Sequence, residues 1–194
     1  MANTERIIEI FKETEVLLEG HFLLTSGRHS NQYMQCAKIL QYPNYTQEIV
    51  AGLAKCYEDT KVDYVIAPAV GGIIIGYELA RQLGCKNMFA EREDGKMTIR
   101  RGFTLPKGSR VVVAEDVITT GGSVQEVMDI VEAQGSEVIG VAVLVDRSNG
   151  NIDFGVKLDA ALTVEVESWE QATCPICAKG EVELVKPGSR KAKA

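Results

Sequence analysis

Nowhere does this chain run apolar for the roughly 20 residues that a bilayer crossing demands. Its longest apolar stretches, around Tyr64 to Gly76 and Val138 to Val145, are interrupted or too short. The N-terminus, MANTERIIEIF, mixes charged and apolar residues within its first turns and so lacks the basic-then-apolar layout of a secretory leader. These absences set the expectation of a soluble cytoplasmic protein with no membrane partner. Positive charge is also short: 21 Lys and Arg stand against 27 Asp and Glu, a formal net charge of -6. Affinity for a nucleic acid backbone comes mostly from basic side chains, so no nucleic acid is expected as the main partner. The 5 cysteines are an odd number without a leader, which argues against a disulfide framework and makes free thiols the default.

What is present is a chain of 194 residues, 45% hydrophobic, enough for one packed domain with a small appendage. Asn3 or Thr4 can cap a first helix whose buried stripe is Ile7, Ile8, Ile10 and Phe11. From Gly20 to Leu40, β-prone residues surround the turn signal Ser26-Gly27-Arg28 and read as a hairpin-like cap. Beyond Pro43, strand-then-helix units repeat. A helix runs through Ile49, Leu53 and Cys56, followed by the strand Tyr64 to Ala67 and the loop Pro68 to Gly72. A helix then ends at Leu83 with Gly84 as its C-cap, and a short strand spans Asn87 to Ala90. Glu91 to Leu105 is charged and holds Gly95 and Gly102, the signature of a long connection or a mobile hairpin. A β-branched run, Val111 to Ala114, leads to a helix over Gly122 to Ala133 and a last apolar strand, Val138 to Val145. Strands apolar on both faces that alternate with helices predict an α/β fold with a mostly parallel central sheet flanked by helices. The expected organisation is an N-terminal helix and hood over 1–42, a core over 43–170, and an extension over 171–194 with a disordered basic tail from Lys186.

The chemistry concentrates at the end of the β-branched run. Ligands of open α/β sheets collect at the carboxyl ends of strands, and Val111 to Ala114 delivers the chain there at Glu115-Asp116. The next residues, Val117-Ile118-Thr119-Thr120-Gly121-Gly122-Ser123, enter a helix. Amides at a helix start bind anions, glycines let the backbone come close, and hydroxyls add donors, so Thr119 to Ser123 reads as a phosphate cradle. No lysine follows the glycines as in a Walker loop, and no G-x-G-x-x-G marks a dinucleotide fold. Two carboxylates beside a phosphate site need sugar hydroxyls or a divalent metal between them and the anion, and a ribose 5-phosphate satisfies both demands. The bland alternative is a solvated strand end followed by a tight turn.

The segment Val111-Val-Val-Ala-Glu-Asp-Val-Ile-Thr-Thr-Gly-Gly-Ser123 resembles the PRPP-binding signature of type I phosphoribosyltransferases. Leu24-Thr-Ser-Gly-Arg-His-Ser30, Ala67-Pro-Ala-Val-Gly-Gly72, Ala90-Glu-Arg-Glu-Asp-Gly-Lys-Met97 and Val145-Asp-Arg147 fall in the order and spacing of the orotate phosphoribosyltransferase family. The resemblance spans roughly Gly20 to Arg147 and implies the type I phosphoribosyltransferase fold with a small N-terminal hood. It also implies transfer of the 5-phosphoribosyl group from PRPP to N1 of orotate, with Mg2+ as cofactor, in a homodimer with shared active sites. Carried over, it gives Glu115 and Asp116 the ribose hydroxyls, Val117 to Ser123 the PRPP loop with the 5-phosphate on Thr119 to Ser123, and orotate to Thr119, Arg147, Tyr33 and Met34. Arg92 and Lys96 match cations that meet the pyrophosphate, and Lys96 and Asp116 fill the catalytic positions. Many family members have lysine where this chain has Thr25 and a Tyr-Lys pair where it has Val70-Gly71, so Arg100 or Arg101 is a candidate for the missing charge.

Two other readings share the loop: a purine phosphoribosyltransferase with a different base pocket, and a PRPP-sensing regulator that binds without catalysis. The regulator requires a DNA-contacting element, and the 60 or so residues ahead of the first core strand read as a cap instead. Cys174-Pro-Ile-Cys177 has the spacing of half a zinc knuckle but no second C-x-x-C, so free thiols in a turn are expected, with a metal completed by other cysteines or a second subunit as the alternative. His21 and His29 are expected as cap or surface residues, since no ligand lies near them at metal spacing.

Overall fold

The computed structural model describes residues 4–24 and 26–187. Thr25 and the end of the basic tail lie outside the described residues. Helix α1 (Thr4–Glu13) buries Ile7, Ile10 and Phe11 at the expected spacing. Strands β1 (Leu17–Leu23) and β2 (His29–Met34) then pair antiparallel as the hood, starting a few residues earlier than the turn signals indicated. Their register slips between Glu19 and Phe22, a bulge in β1. A 3-10 turn over Cys36–Gln41 leads into α2 (Pro43–Ala54), which opens with proline at a position where the missing N–H costs nothing.

The body of the molecule is a sheet of six strands. In chain order come β3 (Tyr64–Pro68), α3 (Gly72–Leu83), β4 (Lys86–Glu93), β5 (Lys96–Ile99), β6 (Arg110–Ile118), α4 (Gly122–Ala133), β7 (Glu137–Asp146) and β8 (Leu158–Thr163). The spatial order is β5-β4-β3-β6-β7-β8, parallel throughout except for the β4–β5 hairpin. Alternate residues feed two cores. Val65, Ala67, Val112, Ala114 and Leu144 pack under α1, α2 and α3, while Ile66, Val113, Val141 and Val143 meet Val124, Val127, Met128 and Val131 of α4. Gly84 closes α3 in the left-handed region at φ 68°, its N–H donating to the Ala80 carbonyl, as a C-cap glycine should.

Three features depart from the sequence expectation. Strand β6 continues through Glu115 and Asp116 to Ile118, because its ladder with β7 extends to Asp146. The charged stretch after Ala90 is an ordered hairpin, with Asp94 (φ 51°) and Gly95 (φ 81°) supplying the two left-handed residues of a tight turn. Strand β8 was not anticipated at all: it is an edge strand, only partly buried, and its sequence LDAALT carries no β-branched run.

Helix α3 seats directly on β3. A Cβ at Gly76 would come within 3.0 Å of the Ala67 Cβ and 3.1 Å of the Asn87 side chain. Gly76→Leu should therefore push the helix off the sheet, an overpacking penalty that lowers the melting temperature by about 5–10 °C in circular dichroism. An unchanged melting temperature would show that the seat is loose.

Candidate active site

Strands β3 and β6 are neighbours, yet α3 carries the chain from β3 to one side of the sheet and α4 carries it from β6 to the other. Such a switch of direction opens a crevice at the carboxyl ends of the strands. Both helices that start there, α3 and α4, lack a side-chain cap and have no acid in the first turn, so no side chain of their own occupies their leading amides.

Two carboxylates stand in this crevice. Asp116 accepts a hydrogen bond from the Val117 N–H at 2.8 Å, and the buried Glu115 accepts one from the Asp116 N–H at 3.1 Å. Gly71 and Gly72 lie against them: a Cβ on Gly71 would overlap the Asp116 carboxylate, and one on Gly72 would lie 3.0 Å from Glu115 Oε1. A side chain at 71 would thus compete for the space Asp116 occupies, which gives the departure at Val70-Gly71 a steric meaning. Burial, and after it the neighbouring Asp116 charge, pushes the Glu115 carboxyl up to about 8.

The loop Thr119 to Ser123 wraps over the start of α4, with Thr119, Thr120 and Gly122 exposed and Ser123 half-buried. Gly121 is obligatory in two ways. Its φ of 73° is left-handed, and a Cβ there would stand 2.8 Å from the Phe154 ring and 3.1 Å from Ile152. Phe154 and Ile152 support the loop from below, and no local sequence signal pointed to them.

Beside this loop, the Arg147 N–H donates to the Ile118 carbonyl at 2.9 Å, so the residue sits at the mouth of the same crevice. Its side chain is half-buried, and its Nε has no hydrogen-bond partner. The next residue, Ser148, has a buried hydroxyl that is equally unpartnered, while Asp146 accepts the Ser148 N–H at 2.7 Å. The buried Cys36 thiol is pushed up to about 12 by burial and then by the charge of Asp116, with Arg147 opposing, which ties the end of β2 to these groups. Tyr33 is half-buried, its ring 5.8 Å from that of Phe22 and its hydroxyl donating to Gln35 at 3.1 Å. Met34 is buried in the larger core, so it lies on the opposite face of the hood ribbon from its neighbour.

A phosphoribosyl transferase domain model matches residues 35–154 of the chain. A curated orotate phosphoribosyltransferase from Caldanaerobacter subterraneus subsp. tengcongensis is 54% identical over 187 residues, covering 96% of this chain and 98% of that protein. One from Desulforamulus reducens is 55% identical over 188 residues, covering 97% and 98%. The crystal structure of orotate phosphoribosyltransferase from Aeropyrum pernix matches with a TM-score of 0.67 at 28% identity, over 81% of this chain and 93% of that one. The chain belongs to the orotate phosphoribosyltransferase family.

In this family member the cations expected at the pyrophosphate are distributed along the β4–β5 hairpin. Arg92 pairs with Glu126 of α4 at 2.9 Å and donates to the Gly95 carbonyl. Arg100 pairs with Glu93 at 2.9 Å, and Arg101 pairs with Glu91 at 2.9 Å while lying over the Phe89 ring. Lys96 is exposed at the start of β5, opposite Glu93 in register, and has no ion pair among the described residues. The two histidines require a correction. His21 and His29 lie in the hood, as expected, and Cys174 and Cys177 are free thiols, but the histidines are 3% and 2% exposed and lie against those cysteines, so the expectation that no ligand is near them fails. The ligand spacing was invisible because about 150 residues separate the two halves of the cluster.

The raised Glu115 carboxyl has a consequence for this phosphoribosyltransferase. The folded state holds that proton more tightly than the unfolded chain, so the group favours folding below the usual carboxylate range. That contribution is lost as pH rises toward about 8. Glu115→Gln should raise the melting temperature by about 3–6 °C at pH above 8 and leave it unchanged near the ordinary carboxylate pKa. Equal shifts at both pH values would refute a buried, proton-holding Glu115.

Proposed function

We propose that the chain transfers the 5-phosphoribosyl group of PRPP to N1 of orotate, releasing pyrophosphate and giving orotidine 5-phosphate. Thr119 to Ser123 hold the 5-phosphate at the uncapped start of α4, and Glu115 and Asp116 take the ribose hydroxyls. Displacement at the anomeric carbon builds positive charge on the sugar ring and negative charge on the departing pyrophosphate. The chain therefore has to fix the ribose, neutralise the leaving group and exclude water. Lys96 and Arg92 meet the pyrophosphate from the β4–β5 hairpin. The carboxylates of Glu115 and Asp116 and the hydroxyls of Thr119, Thr120 and Ser123 are hard oxygen donors, which suit an ion such as Mg2+ arriving with PRPP. When bound, Mg2+ supplies charge neutralisation at the diphosphate.

The observation that carries the choice of acceptor is Arg147, a half-buried guanidinium with an unpartnered Nε at the mouth of the crevice. A planar carboxylate such as that of orotate satisfies it in a bidentate pair. Tyr33, half-buried on β2, is the residue assigned to the pyrimidine ring. The test mixes PRPP, Mg2+ and either orotate or a purine, and follows orotate absorbance and pyrophosphate release. Turnover with orotate alone is expected. Turnover with a purine, or with no base, would overturn the assignment. Arg147→Ala should lower kcat/KM for orotate by about 30–100-fold while leaving PRPP affinity within about twofold.

We also propose a homodimer, supported by a second feature. Ile74 and Tyr77 on the outer face of α3 and Val70 just ahead of it are exposed apolar side chains, Val70 at 82%. Such side chains support coverage by a second copy of the chain. Lys96 is then delivered to the partner's crevice, in keeping with its place at the sheet edge, away from its own carboxylates. Lys96→Ala and Asp116→Asn should each be nearly inactive alone, and equal mixing of the two after subunit exchange should restore about a quarter of wild-type activity. No recovery on mixing would place Lys96 in its own subunit's site.

A further inference from the structure

We propose that His21, His29, Cys174 and Cys177 form a structural zinc site that fastens the C-terminal segment to the hood. His21 and His29 are the only 2 histidines in the chain, and both are buried. His21 lies in the β1 bulge, where Gly20 and His21 together face Asn31, and His29 opens β2. Cys174 is buried, and Cys177 lies at the exposed rim, with the short helix α5 (Pro175–Lys179) carrying the second thiol back toward the first.

The four donor atoms lie within 4.8 Å of one another. His21 Nε2 stands 3.0 Å from His29 Nδ1, 3.5 Å from Cys174 Sγ and 3.6 Å from Cys177 Sγ, and Cys177 Sγ is 3.2 Å from His29 Nδ1. A tetrahedral ion with Zn–N near 2.0–2.1 Å and Zn–S near 2.3 Å spaces its donors about 3.3–3.8 Å apart. The two His21–sulfur edges, 3.5 and 3.6 Å, fall within that range, and the two edges at His29 Nδ1, 3.0 and 3.2 Å, are slightly shorter.

The protons point the same way. His21 Nδ1 is 3.2 Å from the Val182 carbonyl, a contact that requires Nδ1–H and leaves Nε2 with a bare lone pair aimed at the other three donors. Without an ion, two buried imidazoles and two weak thiol donors would converge with few hydrogens to share among them. A divalent cation satisfies all four at once. The ligand set is two nitrogens and two sulfurs, all from protein, which is the closed arrangement of a structural site rather than a catalytic one.

The surrounding backbone shows what the site would hold. His29 and Trp169 exchange both backbone hydrogen bonds at 2.8 Å. Val185 donates to the His21 carbonyl and accepts from the Leu23 N–H. The C-terminal segment is therefore stitched to both hood strands on either side of the cluster, and the ion sits between the stitches.

Metal analysis of the full chain purified without chelator should find about one zinc per chain, falling below about a tenth in Cys174→Ser/Cys177→Ser and unchanged in Cys56→Ser, whose thiol lies outside the cluster. Because the double variant could fail to fold, Co2+ exchange into the unaltered protein gives a second readout. Intense visible ligand-field bands of a tetrahedral site, with thiolate charge transfer, are expected. Protein that is purified metal-free and takes up neither Zn2+ nor Co2+ would overturn the proposal, as would a Cys174–Cys177 disulfide in fresh protein or equal zinc in the double variant.

Discussion

The close seat of Gly71 and Gly72 against the Asp116 and Glu115 carboxylates is the contact on which the crevice depends. Two parallel strands that end side by side and send their helices in opposite directions leave a gap, and what fills that gap decides what can enter it. Here it is filled by two acid side chains, and only bare backbone on the β3 side leaves room for them. The arrangement places two like charges between two uncapped helix starts, whose partial positive charge stabilises an anion. Burial resolves the remaining repulsion by keeping a proton on Glu115. Asp116, which accepts the Val117 N–H, is the less buried of the two acids.

The same logic explains why the cations need not be preassembled. Arg92, Arg100 and Arg101 are each engaged with a glutamate on or near the β4–β5 hairpin, and these pairs are exposed. An exposed ion pair contributes about 0–1 kcal/mol, far less than a guanidinium gains against a polyanion excluded from water. On the proposed function, the hairpin would therefore exchange internal partners for a diphosphate at small cost. The glutamates meanwhile keep its charges from repelling one another when nothing is bound. The acidic residues interleaved through Glu91 to Asp94 are then part of the device rather than a diluting background.

What the sequence disclosed follows from which signals are local. The central strands were legible because burial on both faces demands continuous apolar runs, as in Val111 to Ala114 and Val138 to Val145. The Thr-Gly-Gly loop was legible because one short segment carries its chemistry. Strand β8 was hidden because an edge strand with a half-solvated face needs no such run. Gly121 announced a turn, but Phe154 beneath it, more than 30 positions later, did not announce a contact. Arg147 could be placed by its position after a strand, whereas its unpartnered Nε exists only in three dimensions. The His and Cys cluster is the extreme case. Its ligands come from two strands and a distant knuckle, and a search for metal spacing along the chain finds only half of it.

That cluster bears on how so small a hood stays in place. A two-stranded ribbon is marginal by itself in water, and β1–β2 makes its larger contacts with elements at its own end of the chain. Backbone bonds to Trp169 and Val185 widen the ribbon, but they join segments some 140 to 160 residues apart, and closing so long a loop is entropically costly. Zinc held by His21, His29, Cys174 and Cys177 would offset that cost with binding free energy available only to the folded chain, and without needing an oxidising compartment. The C-terminal segment would then act as a brace for the β1–β2 ribbon. Only a chain long enough to return from β8 to the hood could supply it.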